Sequence, residues 1–194
     1  TVGFAIFVIA LKRLLIGKFK TRNYPLWSVE VWRAEFMQGI EENFIAPIFL
    51  SAAQGSWWAV LWFRLMGANI GERVYLDTIY LTEPDLITID DDSVIESATT
   101  VQTHLFEDRV MKQEPLYIGR GCSVGANSVV LYSSKVEDGA VLEQASLVMK
   151  GETLMKGLRY EGIPAVTAVH RRAPNKAAQS AAYVPPIVAA SGLN

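Results

Sequence analysis

Residues 101–119 read VQTHLFEDRVMKQEPLYIG and place His104, Glu107, Asp108, Arg109 and Lys112 in close succession. An imidazole titrates near neutral pH, so His104 can take a proton from an attacking nucleophile. Its second ring nitrogen needs an orienting acceptor, which Glu107, Asp108 or a backbone carbonyl could supply. Arg109 and Lys112 could hold a phosphate, or could simply pair with Glu107 and Asp108, which is the commoner arrangement. The bland alternative is a solvated surface loop in which His104 bonds locally. The remaining candidates are few. His170, the second histidine, lies in an Ala-, Pro- and Ser-rich stretch and is given no role. Neither histidine has another His or Cys at ligand spacing, so no metal site is expected. Cys122, the single cysteine, cannot close an intrachain disulfide and is read as structural.

The elements that must position this stretch announce themselves as a repeat of period six. Ile118, Val124, Val130, Val136, Leu142, Val148 and Leu154 fall at every sixth position. A small residue follows four positions after each of the first five: Cys122, Ser128, Ser134, Ala140 and Ser146. Neither a helical period of 3.6 nor a strand period of two produces this pattern. It is the hexapeptide signature of a parallel β-helix, with the aliphatic residue inward and the small one closing a corner. Upstream, Ile70 with Leu76, and Ile89 with Ile95 and Val101, repeat the pattern in displaced frames. With three hexapeptides per coil, Ile70, Ile89, Ile118, Val136 and Leu154 stack in one interior column. The spacing from Ile70 to Ile89 leaves one extra residue near Glu83 and Pro84. That from Ile89 to Ile118 expels about eleven residues as a loop, and insertions on such rods project from one face. The loop, near 103–116, is the stretch that carries His104.

The rest of the chain divides by composition. With 51% hydrophobic and 20% charged residues the chain can form a core, and 18 basic against 20 acidic residues leave no electrostatic footprint for nucleic acid. Residues 1–23 open with an uncharged apolar run followed by Lys12, Arg13, Lys18, Lys20 and Arg22 without an acid. The run is shorter than the roughly 20 residues a span requires. It is read as the end of a transmembrane helix leaving on the cytoplasmic side. Residues 24–69 are aromatic-rich. Apolar positions 29, 32, 36 and 40 mark a helix over Val29–Ile40 with Ser28 as N-cap. The uncharged stretch 45–63, interrupted by Pro47 and Gly55, is expected as a broken helix pair, with Trp57, Trp58 and Trp62 either at a membrane interface or capping the core. Residues 166–194 read as a linker or disordered tail.

The repeats, the protruding loop after V-x-T-H, and GIPA at 162–165 resemble the hexapeptide acyltransferase superfamily, which implies a left-handed parallel β-helix over 70–165 and His104 as catalytic base. A closer resemblance rests on YPLWS at 24–28, LMGANIGERVYLDT at 65–78, EPDLITIDDDSVI at 83–95, QTHLFEDRVMK at 102–112 and SLVMKGE at 146–152. These resemble the membrane-embedded C-terminal domains of epsilon-poly-L-lysine synthetase and related nonribosomal-peptide-synthetase-like proteins. The resemblance implies transfer of an acyl or aminoacyl group from a thioester, on carrier-protein pantetheine or coenzyme A, to an amine or hydroxyl. Glu107 or Asp108 would orient His104, and Arg109 and Lys112 would meet the pantetheine or coenzyme A phosphate. It further implies a carrier domain in the same protein, a homotrimer or a pseudo-trimer of tandem domains, and a membrane location. The alternative is a noncatalytic β-helix that scaffolds a membrane complex.

Overall fold

From Asn69 onwards, strands of two or three residues alternate with corners and stack into three sheets of five, six and four strands, parallel throughout except for the last strand of the six. The computed structural model describes residues 2–168. The proposed column is present in register: Ile70 pairs with Ile89, Ile89 with Ile118, Ile118 with Val136 and Val136 with Leu154. A second column runs through Leu76, Ile95, Val124, Leu142 and Tyr160, and a third through Leu81, Val101, Val130 and Val148. All of these are buried. Each aliphatic side chain so buried stabilises the fold by about 1.5–3 kcal/mol before ordering costs.

The small corner residues have a second duty. Ser93 Oγ donates to the Gly119 carbonyl (2.7 Å), Thr99 Oγ1 to the Gly125 carbonyl (3.0 Å) and Ser128 Oγ to the Glu143 carbonyl (3.0 Å). Each hydroxyl thus satisfies a buried carbonyl at the next corner, which would otherwise lose its water without compensation. Cys122 takes the same place, is 1% exposed, and burial pushes its thiol pKa up. It fills a corner place, and a thiol held protonated by burial is a poor nucleophile.

The helical section caps the first coils. It comprises α1 (Val2–Leu15), α2 (Val29–Ile40), a π-helical segment (Glu41–Leu50) ending in a single turn α3 (Ser51–Ala53), and α4 (Trp57–Met66). Ser28 caps α2, its Oγ accepting from Val31 N–H at 3.4 Å. The π register spans Pro47, which has no N–H to give an α-helical ladder. Gly67, at φ +119°, ends α4 in a conformation open to glycine and turns the chain into the first strand. Val8, Met37, Leu50, Phe63 and Met66 join Ile70, Leu76 and Leu81 in one core.

No helix among the described residues is long and apolar enough to cross a membrane, and α1 has 14 residues. Several expectations need correction. Lys12, read as part of a juxtamembrane cluster, is 3% exposed and ion-paired with Asp85. In α2 the buried side chains are Val31, Ala34 and Met37, while Val29, Trp32 and Phe36 face outward. Of the three tryptophans, Trp62 is core and Trp57 and Trp58 are exposed and stacked on each other. The extruded loop is a hairpin, His104–Glu107 against Val110–Gln113, closed by Asp108 and Arg109 at φ +52° and +62° and widened by Arg22–Pro25 as a third strand. Val166–Thr167, assigned to the tail, pair antiparallel with Tyr160–Glu161. The rest of the proposed tail, with His170, lies outside the described residues.

Candidate functional site

Coil stacking sets the neighbours of His104. Leu81 pairs with Val101, so the residues after Leu81 run beneath those after Val101. Thr82 N–H donates to the Val101 carbonyl (3.1 Å), and Thr103 N–H donates to Thr82 Oγ1 (2.9 Å). Glu83 then leaves the coil at φ +35° and starts the short turn Pro84–Leu86, at the place where the repeat arithmetic left one extra residue. This detour points the Glu83 carboxylate inward. Its Oε2 lies 2.6 Å from Thr103 Oγ1, which donates to it, and 2.9 Å from His104 Nδ1. The His104 and Glu83 side chains are 6% and 4% exposed.

An ionised carboxylate only accepts, so the proton of the His104–Glu83 contact sits on Nδ1, and Nε2 of the neutral ring carries the lone pair. No protein hydrogen bond among the described residues engages Nε2. The Phe106 ring stands edge-on to the imidazole with centroids 5.3 Å apart. Burial opposes charging of His104, but the hydrogen bond and charge of Glu83, with a lesser contribution from Glu35, outweigh it and raise the pKa above the ordinary 6.5. Histidine fixed at one nitrogen by a buried carboxylate is suited to take a proton at the other.

His104 lines a cleft of about 220 Å³ between the helical cap and the first coils. Lys12, Glu41, Glu42, Glu83 and Gln102 supply its polar wall. Burial pushes the Glu41 carboxyl up to about 7, opposed by the charge of Lys12 and reinforced by that of Glu83. Among the described residues no three His, Cys, Asp or Glu side chains converge in a way that could hold a metal ion.

The structure separates His104 from the acidic residues expected to serve it. Glu107 is held by Lys150 Nζ (2.7 Å) and Lys112 Nζ (3.1 Å), and Lys112 also reaches Asp108 (3.1 Å). Glu83 therefore replaces Glu107 and Asp108 as the group that orients His104. Lys112 is paired, as the commoner arrangement would have it, and Arg109 lies exposed at the hairpin turn, its carbonyl accepting from Leu26 N–H (3.0 Å). Neither lines the cleft. Sequence reasoning missed Glu83 and Glu41. The extra residue at Glu83–Pro84 was the available signal for the first; nothing in the repeat pointed to the second.

No family model matches the chain. In sequence it is 38% identical over 170 residues to the delta-poly-L-ornithine synthetase of Acinetobacter baumannii, a match covering 88% of this chain and 13% of that protein. The chain thus spans a small part of its relative. In fold it resembles the serine acetyltransferase of Neisseria gonorrhoeae, with TM-score 0.51 and 14% identity over 85% of this chain and 78% of that one. It also resembles a hexapeptide-repeat-containing acetyltransferase of Vibrio cholerae, with TM-score 0.50 and 14% identity over 74% of this chain and 93% of that one. The likeness to these two acetyltransferases shows the fold, a β-helix of stacked hexapeptide coils, and in sequence the chain is similar to one segment of a poly-amino-acid synthetase.

Proposed function

We propose that this domain transfers an acyl or aminoacyl group from a thioester to an amine or hydroxyl, with His104 as general base. The observation that carries the reading is the buried Glu83–His104 pair at the wall of the cleft, which leaves Nε2 without a hydrogen bond among the described residues. In the reaction, Nε2 removes the proton of the acceptor N–H or O–H as that atom attacks the thioester carbonyl. The C–S bond breaks as the tetrahedral intermediate collapses, and the proton passes to the departing thiolate. Glu83 stabilises the imidazolium formed on the way. The name of the sequence relative, a synthetase of an amino-acid polymer, supports an amine acceptor; in this proposal the donor is a thioester on a carrier-protein pantetheine, with coenzyme A as the alternative. Arg109 and Lys112 lie outside the cleft, so any phosphate they meet is bound on the hairpin's outer surface.

The test is thioester consumption by the full-length protein with His104→Ala beside wild type. The variant loses about 10²–10⁴ in rate, the usual weight of a general base, while its circular dichroism stays unchanged. Equal rates would overturn the reading and favour a scaffold.

A membrane-surface location on the cytoplasmic side is part of the same proposal. Its support is the set of exposed apolar side chains on the helical section, Ile6, Phe7, Trp27, Trp32 and the stacked Trp57 and Trp58, with Lys18 and Lys20 on the connection from α1. Tryptophan beside lysine suits the headgroup region of anionic lipid. The domain is expected to sediment with vesicles containing phosphatidylserine, and Trp27→Ser/Trp32→Ser to reduce this. Complete absence from the vesicle pellet would remove the location.

A further inference from the structure

A second, smaller cavity of about 80 Å³ lies between the end of α1, the side of α2 and the hairpin. Phe19 and Ala34 line both this cavity and the cleft of His104, so the two are neighbours. Its buried polar group is Gln113, which pairs across the hairpin with His104 and on its other side with Arg22. Gln113 is 1% exposed, and its Nε2 donates to no group among the described residues. A buried amide donor is costly to leave unmet. A half-turn of a glutamine amide exchanges its donor and acceptor ends, so Nε2 can be presented to whatever occupies the cavity. Two cations stand on the same wall, Lys18 on the connection from α1 and Arg33 on α2. Both are exposed, and neither forms an ion pair among the described residues, even with Glu30, the one acid of the lining. Arg22 is engaged otherwise, over the Tyr24 ring at 5.5 Å. Leu15, Ile16, Phe19 and Met111 make the rest of the wall apolar.

An ammonium, a guanidinium and an amide N–H are donors that call for anionic oxygens, while the apolar wall calls for an uncharged stem. A carboxylate brings two oxygens and one charge. A phosphomonoester brings three strong acceptor oxygens and nearly two charges at pH 7, which matches the three donors. The volume is far below the roughly 300 Å³ at which sites for drug-sized ligands begin, so a nucleotide is too large, whereas a phosphate with a few methylenes fits.

We propose that this cavity binds a phosphomonoester on an apolar stem, with Lys18 and Arg33 on its oxygens and Gln113 Nε2 donating from inside. The same chemistry is offered by a membrane lipid with a bare phosphate headgroup and by a soluble alkyl phosphate. The assignment is independent of the acyl-transfer reading; only its lipid source rests on the membrane-surface location.

Calorimetric titration of the purified protein with butyl phosphate tests this directly. Saturable one-to-one binding is expected, with butyrate, which has a carboxylate in place of the phosphate, clearly weaker. Lys18→Ala and Arg33→Ala, both at exposed positions, should each weaken butyl phosphate by about tenfold or more, and Arg33→Lys should restore part of the loss. Gln113→Leu should weaken it by about two- to tenfold, the weight of one hydrogen bond. Lys135→Ala, an exposed charge on the coils, should leave it unchanged. Absence of binding at millimolar butyl phosphate, equal affinity for butyrate, or unchanged affinity in both Lys18→Ala and Arg33→Ala would each overturn the proposal. Unchanged affinity in Gln113→Leu would overturn the seat inside the cavity. Sedimentation with phosphatidylcholine vesicles carrying equal fractions of either phosphatidic acid or phosphatidylserine separates the two sources. A preference for phosphatidic acid that Arg33→Ala abolishes supports the lipid. Butyl phosphate bound by a protein that shows no such preference supports the soluble ester and overturns the lipid source alone. Butyl phosphate bound by a protein that pellets with neither vesicle overturns the membrane location and leaves the cavity assignment standing.

Discussion

Nδ1 of His104 donates to a carboxylate that also accepts from Thr103, so the ring is fixed in both tautomer and orientation before any substrate arrives. This has a measurable consequence for titration. Glu83 is what keeps the pKa of a buried imidazole above 6.5, since burial acting alone would lower it. In Glu83→Gln the His104 pKa is expected to fall, which an NMR titration of the imidazole reads, and the acidic limb of the rate profile should move to lower pH while the plateau drops about 10²–10⁴-fold. The linkage has a definite sign. A group whose pKa is raised on folding contributes stability that is fully present below its unfolded value of about 6.5 and is lost as pH rises through the folded value. Wild type should therefore exceed Glu83→Gln in urea midpoint most on the acid side of that window, and the gap should shrink above it. A His104 pKa that does not move in Glu83→Gln would show that the carboxylate only packs. Half of this pair was legible in the sequence. His104 stood out as the histidine inside the repeats, but its partner lies 21 residues away and one coil below. Residues near in sequence, Glu107 and Asp108, looked closer than they are because the hairpin carries them off along its strands.

At the scale of elements, what could be read depended on whether the pattern admitted one physical solution. A hexapeptide period over seven aliphatic positions admits a triangular coil and little else, and each predicted partner in the column of Ile70 is the observed one. The length of the excursion followed from the same arithmetic. Its form did not, because a hairpin closed by two residues of positive φ needs no glycine when Asp108 and Arg109 accept that conformation, and its third strand comes from the distant Arg22–Pro25. Helix α2 shows a different failure. Periodicity located the helix and its cap, yet the side lined by Val29, Trp32 and Phe36 faces out and the smaller Val31, Ala34 and Met37 face in. Both sides are apolar enough to be the core. Packing chose the flatter one, where Val31 and Ala34 sit close to Met111 of the hairpin with Phe19 and Tyr24 alongside. The larger aromatics are thereby left on the surface that the proposed membrane contact uses.

For the whole molecule, the site exists only if the helical cap and the β-helix hold a fixed relation, since His104 and Glu83 come from the coils and Glu41 from the cap. The polar lock between the two is Lys12 of α1 on Asp85, both side chains less than 10% exposed, with Phe19 N–H donating to the same carboxylate oxygen at 3.1 Å. A buried ion pair gains little over an apolar pair of the same shape, because desolvation offsets its attraction, but breaking one side strands the other charge. Lys12→Met should therefore cost about 3–5 kcal/mol in urea unfolding, and Lys12→Met/Asp85→Leu should recover most of it. Lys12→Met also removes the charge that opposes proton uptake by Glu41, so the Glu41 pKa should rise above about 7 in this variant. The double variant distinguishes a lock from a mere contact: if the single change costs no more than a surface substitution, within about 0.5 kcal/mol, the cap is not held through this pair. If instead the double variant regains stability but loses turnover, then the charged lock sets the geometry of the cleft, and packing alone supplies the stability.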